Sequence, residues 1–108
     1  MPSSTWKRVE SRIASLFGCQ RISLSGSNNR QAKTQSDTDH ERLYIEIKHR
    51  KRIPFYATWK EVRERAGKEG KVPIVVLHEK NSDFALAICQ ADYLAKLEND
   101  LIDMENRP

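Results

Sequence analysis

Apolar residues recur along this chain with two different periods, and the switches between them divide it into elements. Trp6, Val9, Ile13, Leu16 and Phe17 follow helical spacing, with Thr5 placed to cap the helix and Gly18 placed to end it. Gln20 to Ser25 alternates, with Ile22 and Leu24 on one face, as a short strand does. From Ser23 to His40 the apolar residues are Leu24 and Ala32 alone, so this stretch reads as a loop or a loosely packed hairpin arm. Leu43 to Lys48 is the cleanest alternation in the chain: Leu43, Ile45 and Ile47 share one face, and Tyr44, Glu46 and Lys48 share the other. Pro54 and Thr58 precede a second helix, Trp59 to about Lys68, with Trp59, Val62 and Ala66 inward and Gly67 and Gly70 at its exit. Pro73 to Leu77 is apolar throughout, the pattern of a strand covered on both faces. A turn at Asn81-Ser82-Asp83 leads to a strand over Phe84 to Cys89. A last helix, about Asp92 to Met104, is expected to bury Leu94, Leu97, Leu101 and Met104.

The resulting order, αβββαββα, belongs to the α/β class. A helix joining two strands permits a parallel crossover, so we expect a mixed five-stranded sheet with helices on both faces. At 108 residues the chain suits one domain, 1–108, with 1–4 and 105–108 frayed. No apolar run approaches the roughly 20 residues of a membrane span, and the N-terminus lacks the apolar core of a signal peptide. Cys19 and Cys89 lack the companions of a zinc site and read as free buried thiols, in keeping with a cytoplasmic protein.

Charge adds direction. The net charge is +4, yet Arg42 to Lys71 holds ten basic residues against four acidic ones. Such an excess suits a polyanion, nucleic acid above all, although a solvated helix face accounts for part of it.

The Glu46-x-Lys48 pair projects an acid and a base side by side from one strand face, and Asp37 on the preceding arm is close enough in sequence to be brought opposite. Two readings stand. One is a Mg²⁺ site, with two carboxylates and an ammonium arranged for phosphodiester hydrolysis. The other is a plain ion pair, worth at most about 1 kcal/mol if exposed. Glu10 lies about 20° from Phe17 on the helical wheel, where a carboxylate would flank the buried stripe. Trp6 and Trp59 fit core positions by their helical spacing, with stacking on bases as the alternative, and His40 and His49 read as polar residues near the proposed site, with contact to phosphate or the attacking water as the alternative.

Asp37, the strand Ile45-Glu46-Ile47-Lys48 and a helix-borne Glu10 together resemble the PD-(D/E)XK nuclease superfamily, most closely its archaeal Holliday-junction-resolvase-like and phage branch. The resemblance covers most of the chain, and departs from the pattern in having no Pro before Asp37, which many members also lack. It implies a restriction-endonuclease-like three-layer α/β/α fold. It further implies Asp37, Glu46 and Glu10 as metal ligands, Lys48 as the catalytic lysine, and Ser25 as a loop serine near the scissile phosphate. Asp39, two residues beyond Asp37, competes for the same role. The implied activity is Mg²⁺-dependent DNA cleavage, with Mn²⁺ as a substitute, on branched DNA; since a chain this small presents one site and cannot cut two strands symmetrically alone, a homodimer is the expected assembly. A nicking, repair or restriction-like nuclease on duplex DNA and a catalytically silent DNA-binding module are the rivals. DNA contacts are expected from Arg21, Ser27, Arg30, Lys33, Arg50, Lys51 and Arg52.

Overall fold

In a computed structural model the chain is described over residues 2–22, 34–49 and 52–107. The elements are α1 (Pro2–Leu16), β1 (Leu43–Lys48), α2 (Phe55–Lys68), β2 (Val72–Leu77), β3 (Leu86–Ile88) and α3 (Ala91–Glu105). The sheet runs β1-β2-β3: β1 pairs parallel with β2, placing Ile45 opposite Ile74 and Ile47 opposite Val76, and β2 pairs antiparallel with β3.

Both sheet faces are covered, as the apolar run at β2 requires. On one face Val9 and Ile13 of α1 pack on Ile45, Ile47, Ile74 and Val76. On the other, Val62 and Ala66 of α2 pack on Tyr44 and Val75. Burying each large side chain contributes about 1.5–3 kcal/mol, so these layers account for most of the apolar stabilisation. Pro73 is tolerated in β2 because Val72 points its N–H at Arg42 on the β1 side, which leaves the missing Pro73 N–H facing β3. The β3 pairing starts only at Val75.

Gly18 ends α1 with φ +72°; its N–H donates to Ser15 O and the Cys19 N–H to Ala14 O. This left-handed closure returns the chain toward the sheet edge.

Several expectations are corrected. The sheet among the described residues has three strands, not five. Of the expected strand Gln20 to Ser25, residues 20–22 are described; they form one bridge, Arg21 to Thr38, with Ile22 donating to Asp37 O and Asp39 to Gln20 O, and 23–25 lie outside the described residues. The strand predicted from Phe84 is three residues long, and Phe84 and Leu86 are exposed at the sheet edge.

Helix α1 begins at Pro2 rather than after Thr5, and α2 begins right after Pro54, with Thr58 donating its N–H to Pro54 O inside the first turn. A proline's fixed φ suits that entry even with no side-chain cap. Trp6 is 38% exposed rather than core.

Helix α3 buries no residue. Leu94, Leu97, Leu101 and Met104 are all exposed, while Tyr93 alone reaches the core from this helix. Periodicity marks which side of a helix is apolar, but the sheet is too narrow to cover this one. The helix also carries Asp92, Glu98, Asp100, Asp103 and Glu105 against a single Lys96. Cys19 and Cys89 are free and half-buried.

Candidate active site

Alternation in β1 sends Glu46 and Lys48 to the α2 side of the sheet and Ile45 and Ile47 to the α1 side. Glu46 and Lys48 meet at 3.2 Å, the carboxylate mostly covered and the ammonium about a third exposed. An ion pair this open contributes about 1 kcal/mol or less to stability.

Asp37 sits at the outer edge of β1. Its N–H donates to Ile45 O, and then the partner backbone leaves the strand, so the Ile47 N–H turns to the Asp37 carboxylate at 2.7 Å. A side chain thus replaces the next rung of the ladder, and one carboxylate oxygen is fixed. The segment is held from both sides. Gln35 donates its N–H to Glu69 just past α2, and the buried Ser36 hydroxyl donates to Thr38 O at 2.7 Å. Burial first, and the neighbouring charge of Glu46 second, push the Asp37 carboxyl up to about 7; Glu10 adds to the rise, while the Ile47 N–H and Lys48 oppose it. Burial and the same Glu46 charge push the Tyr44 hydroxyl up to about 12. These opposed effects locate Asp37 where the fields of Glu46, Lys48 and Glu10 overlap.

Asp39 is different. It is exposed, and its carboxylate accepts the Gln20 N–H at 2.7 Å. His40 is likewise a turn residue, its Nδ1 accepting the N–H groups of Arg42 and Leu43.

Glu10 is buried, with one oxygen 3.0 Å from Arg21 Nε and the other 3.2 Å from His49 Nε2. Arg21 is thereby turned inward, its guanidinium 5.2 Å from the Trp6 ring. Helical periodicity flagged Glu10, but its partners lie 11 and 39 residues away and left no local signal.

Among the described residues no group of three or more His, Cys, Asp or Glu side chains is close enough to hold a metal ion. The expected three-carboxylate shell is therefore not assembled here: Glu10 faces Arg21 and His49 instead. Asp37 and Glu46 are the carboxylates whose chemistry would suit a hard cation. Each has one oxygen committed, to Ile47 N–H and to Lys48, and their mutual repulsion is what a divalent ion relieves. Mg²⁺ commonly takes one or two carboxylates and keeps water in its other positions.

Arg52 is exposed. Ser25, Ser27, Arg30, Lys33, Arg50 and Lys51 lie outside the described residues. His78, which sequence reading passed over, is buried at the end of β2, its ring 6.0 Å from that of His49. Each follows the last residue of a parallel strand, and only the pairing of β1 with β2 brings them together. No protein-family model, curated protein or solved structure matches the chain.

Proposed function

We propose that this chain is a Mg²⁺-dependent endonuclease that hydrolyses DNA phosphodiester bonds, a resolvase-like member of the PD-(D/E)XK superfamily with its restriction-endonuclease-like fold. One observation carries the reading: a half-buried Asp37, its carboxylate fixed by the Ile47 N–H at 2.7 Å, stands at the edge of the strand that presents Glu46 and Lys48, and the Glu46 charge helps to raise its pKa. A structural carboxylate gains nothing from a repelling neighbour, whereas a metal ligand does.

Asp37 and Glu46 would hold the ion. When bound, Mg²⁺ supplies positive charge against the phosphate oxygens and acidifies water. Lys48 orients the attacking water and balances charge as its oxygen bonds to phosphorus and the bond from phosphorus to the leaving sugar oxygen breaks. Glu10 holds Arg21 and His49 on the α1 side of the same sheet end, which makes it a positioning residue.

The test is cleavage of labelled four-way junction, duplex and single strand, with and without Mg²⁺. Glu46→Gln should abolish cleavage and keep DNA binding. Lys48→Ala should lose several orders of magnitude in rate with the fold intact, since a partly exposed strand lysine stabilises little. Near wild-type cleavage by Glu46→Gln would sink the assignment. Preference for duplex over junction would favour the nicking, repair or restriction-like reading.

The engagement of Glu10 by Arg21 and His49 favours one other reading, a DNA-binding module of this fold without turnover. It predicts DNA binding with no cleavage at any Mg²⁺ or Mn²⁺ concentration.

A single site per chain cannot cut two strands symmetrically, and we further propose a homodimer. The apolar stripe left bare on α3 supports that assembly.

A further inference from the structure

A cavity of about 480 Å³ opens between α1 and the carboxyl ends of β1 and β2. Ligands of open parallel sheets commonly sit at that end of the strands. Arg8 and Arg12 of α1 and Lys80 of the β2–β3 turn line it, together with Trp6, His49 and His78, and none of the lining residues is acidic. None of the three cations is ion-paired among the described residues, a state they share with Arg42, Lys60 and Arg63, but Arg8, Arg12 and Lys80 converge on one cavity. His78 is only 6% exposed, and its Nε2 finds no hydrogen-bond partner among the described residues. An unpaired polar atom buried this deeply costs stability unless a ligand completes it.

We propose that this cavity binds a nucleotide, with Arg8, Arg12 and Lys80 taking the phosphate, Trp6 forming the wall beside the base, and His78 Nε2 hydrogen-bonding to the nucleotide. The volume falls in the usual range of small-molecule sites, about 300–1,000 Å³, and is far larger than a lone phosphate needs. Three cations lining one cavity with no acidic neighbour in its wall suit an anion, and an aromatic wall suits a flat ring attached to it. His49 directly follows Lys48, so the cavity adjoins the proposed cleavage site. The further step, that the nucleotide is an unpaired one in a DNA strand next to the scissile phosphate, rests on the nuclease reading. The cavity's preference for a nucleotide does not.

The experiment uses the full chain carrying Glu46→Gln, so that nothing is turned over. Calorimetric titrations with dAMP, inorganic phosphate and deoxyadenosine are followed in parallel by the Trp6 indole NMR signal. We expect dAMP to bind at least tenfold more tightly than either fragment. Arg8→Ala combined with Arg12→Ala should weaken dAMP at least tenfold with unchanged circular dichroism, both side chains being exposed on α1. Trp6→Ala should weaken dAMP and leave phosphate unchanged. Equal affinities for dAMP and deoxyadenosine, or a Kd indifferent to the arginine pair, would overturn the proposal. A single-stranded oligonucleotide that displaces dAMP supports the strand as source; failure to displace it overturns that step and leaves a free nucleotide as the ligand. Loss of the nuclease reading would appear elsewhere, as no cleavage by the wild-type chain while dAMP still binds.

Discussion

Asp37 and Asp39 carry the same functional group two residues apart, and their surroundings drive them to opposite behaviour. Asp39 faces water and accepts one backbone N–H; Asp37 is half-buried beside Glu46. With a folded pKa of about 7 against an ordinary 3.8, Asp37 retains a proton in the folded state that the unfolded chain has already released. The folded state therefore binds more protons between those values, and stability falls as pH rises through that window, then levels off. Without divalent cation, Asp37→Asn should match the wild type in Tm near pH 4 and exceed it at pH 8. At pH 8, Mg²⁺ should raise the wild-type Tm and leave the variant unmoved. A variant no more stable than wild type at pH 8 would remove the argument from charge repulsion. Asp39→Asn should cost about 1 kcal/mol or less in a thermal melt and retain cleavage. At this scale alternation made the Glu46 and Lys48 face legible, and family resemblance pointed to Asp37. The contacts of Glu10 with Arg21 and His49 were illegible because chain distance carries no information about them.

Elements were legible where one periodicity held and both neighbours were present. β1, with its clean alternation, appears with the bounds expected, and β2 begins only one residue earlier than the apolar run, at Val72. The strand at Leu86 is shorter than expected because an edge with little apolar cover gains only its hydrogen bonds. Helix α3 shows the complementary limit: Leu94, Leu97, Leu101 and Met104 recur at alternating intervals of three and four, the spacing of a helix seam, yet none of the described residues covers them. If a second copy does, Leu97→Gln with Leu101→Gln should leave circular dichroism unchanged and convert a dimer to a monomer in sedimentation equilibrium. The same sedimentation behaviour before and after substitution would overturn the role of α3 in the dimer.

Taken whole, the molecule keeps its basic character away from α3. Affinity for duplex DNA should therefore fall steeply with salt, by about 0.9 in log affinity per unit of log salt for each phosphate contact. Replacing Lys51 and Arg52 with Ala should flatten that slope by roughly 1–2 units and weaken binding alike across sequences. An unchanged slope would place the DNA on another face. The five carboxylates and one lysine of α3 give it a charge of −4, and since the whole chain is +4, the remainder carries +8. Such a separation makes the protein an electric dipole. A polyanion approaching from solution would exert a torque that swings α3 outward before contact, so that collisions arrive already oriented. Asp100→Asn with Asp103→Asn should then raise the total capture rate at low ionic strength while lowering the share of captures that proceed to a productive complex. Both differences should vanish once added salt shortens the Debye length to a few ångströms.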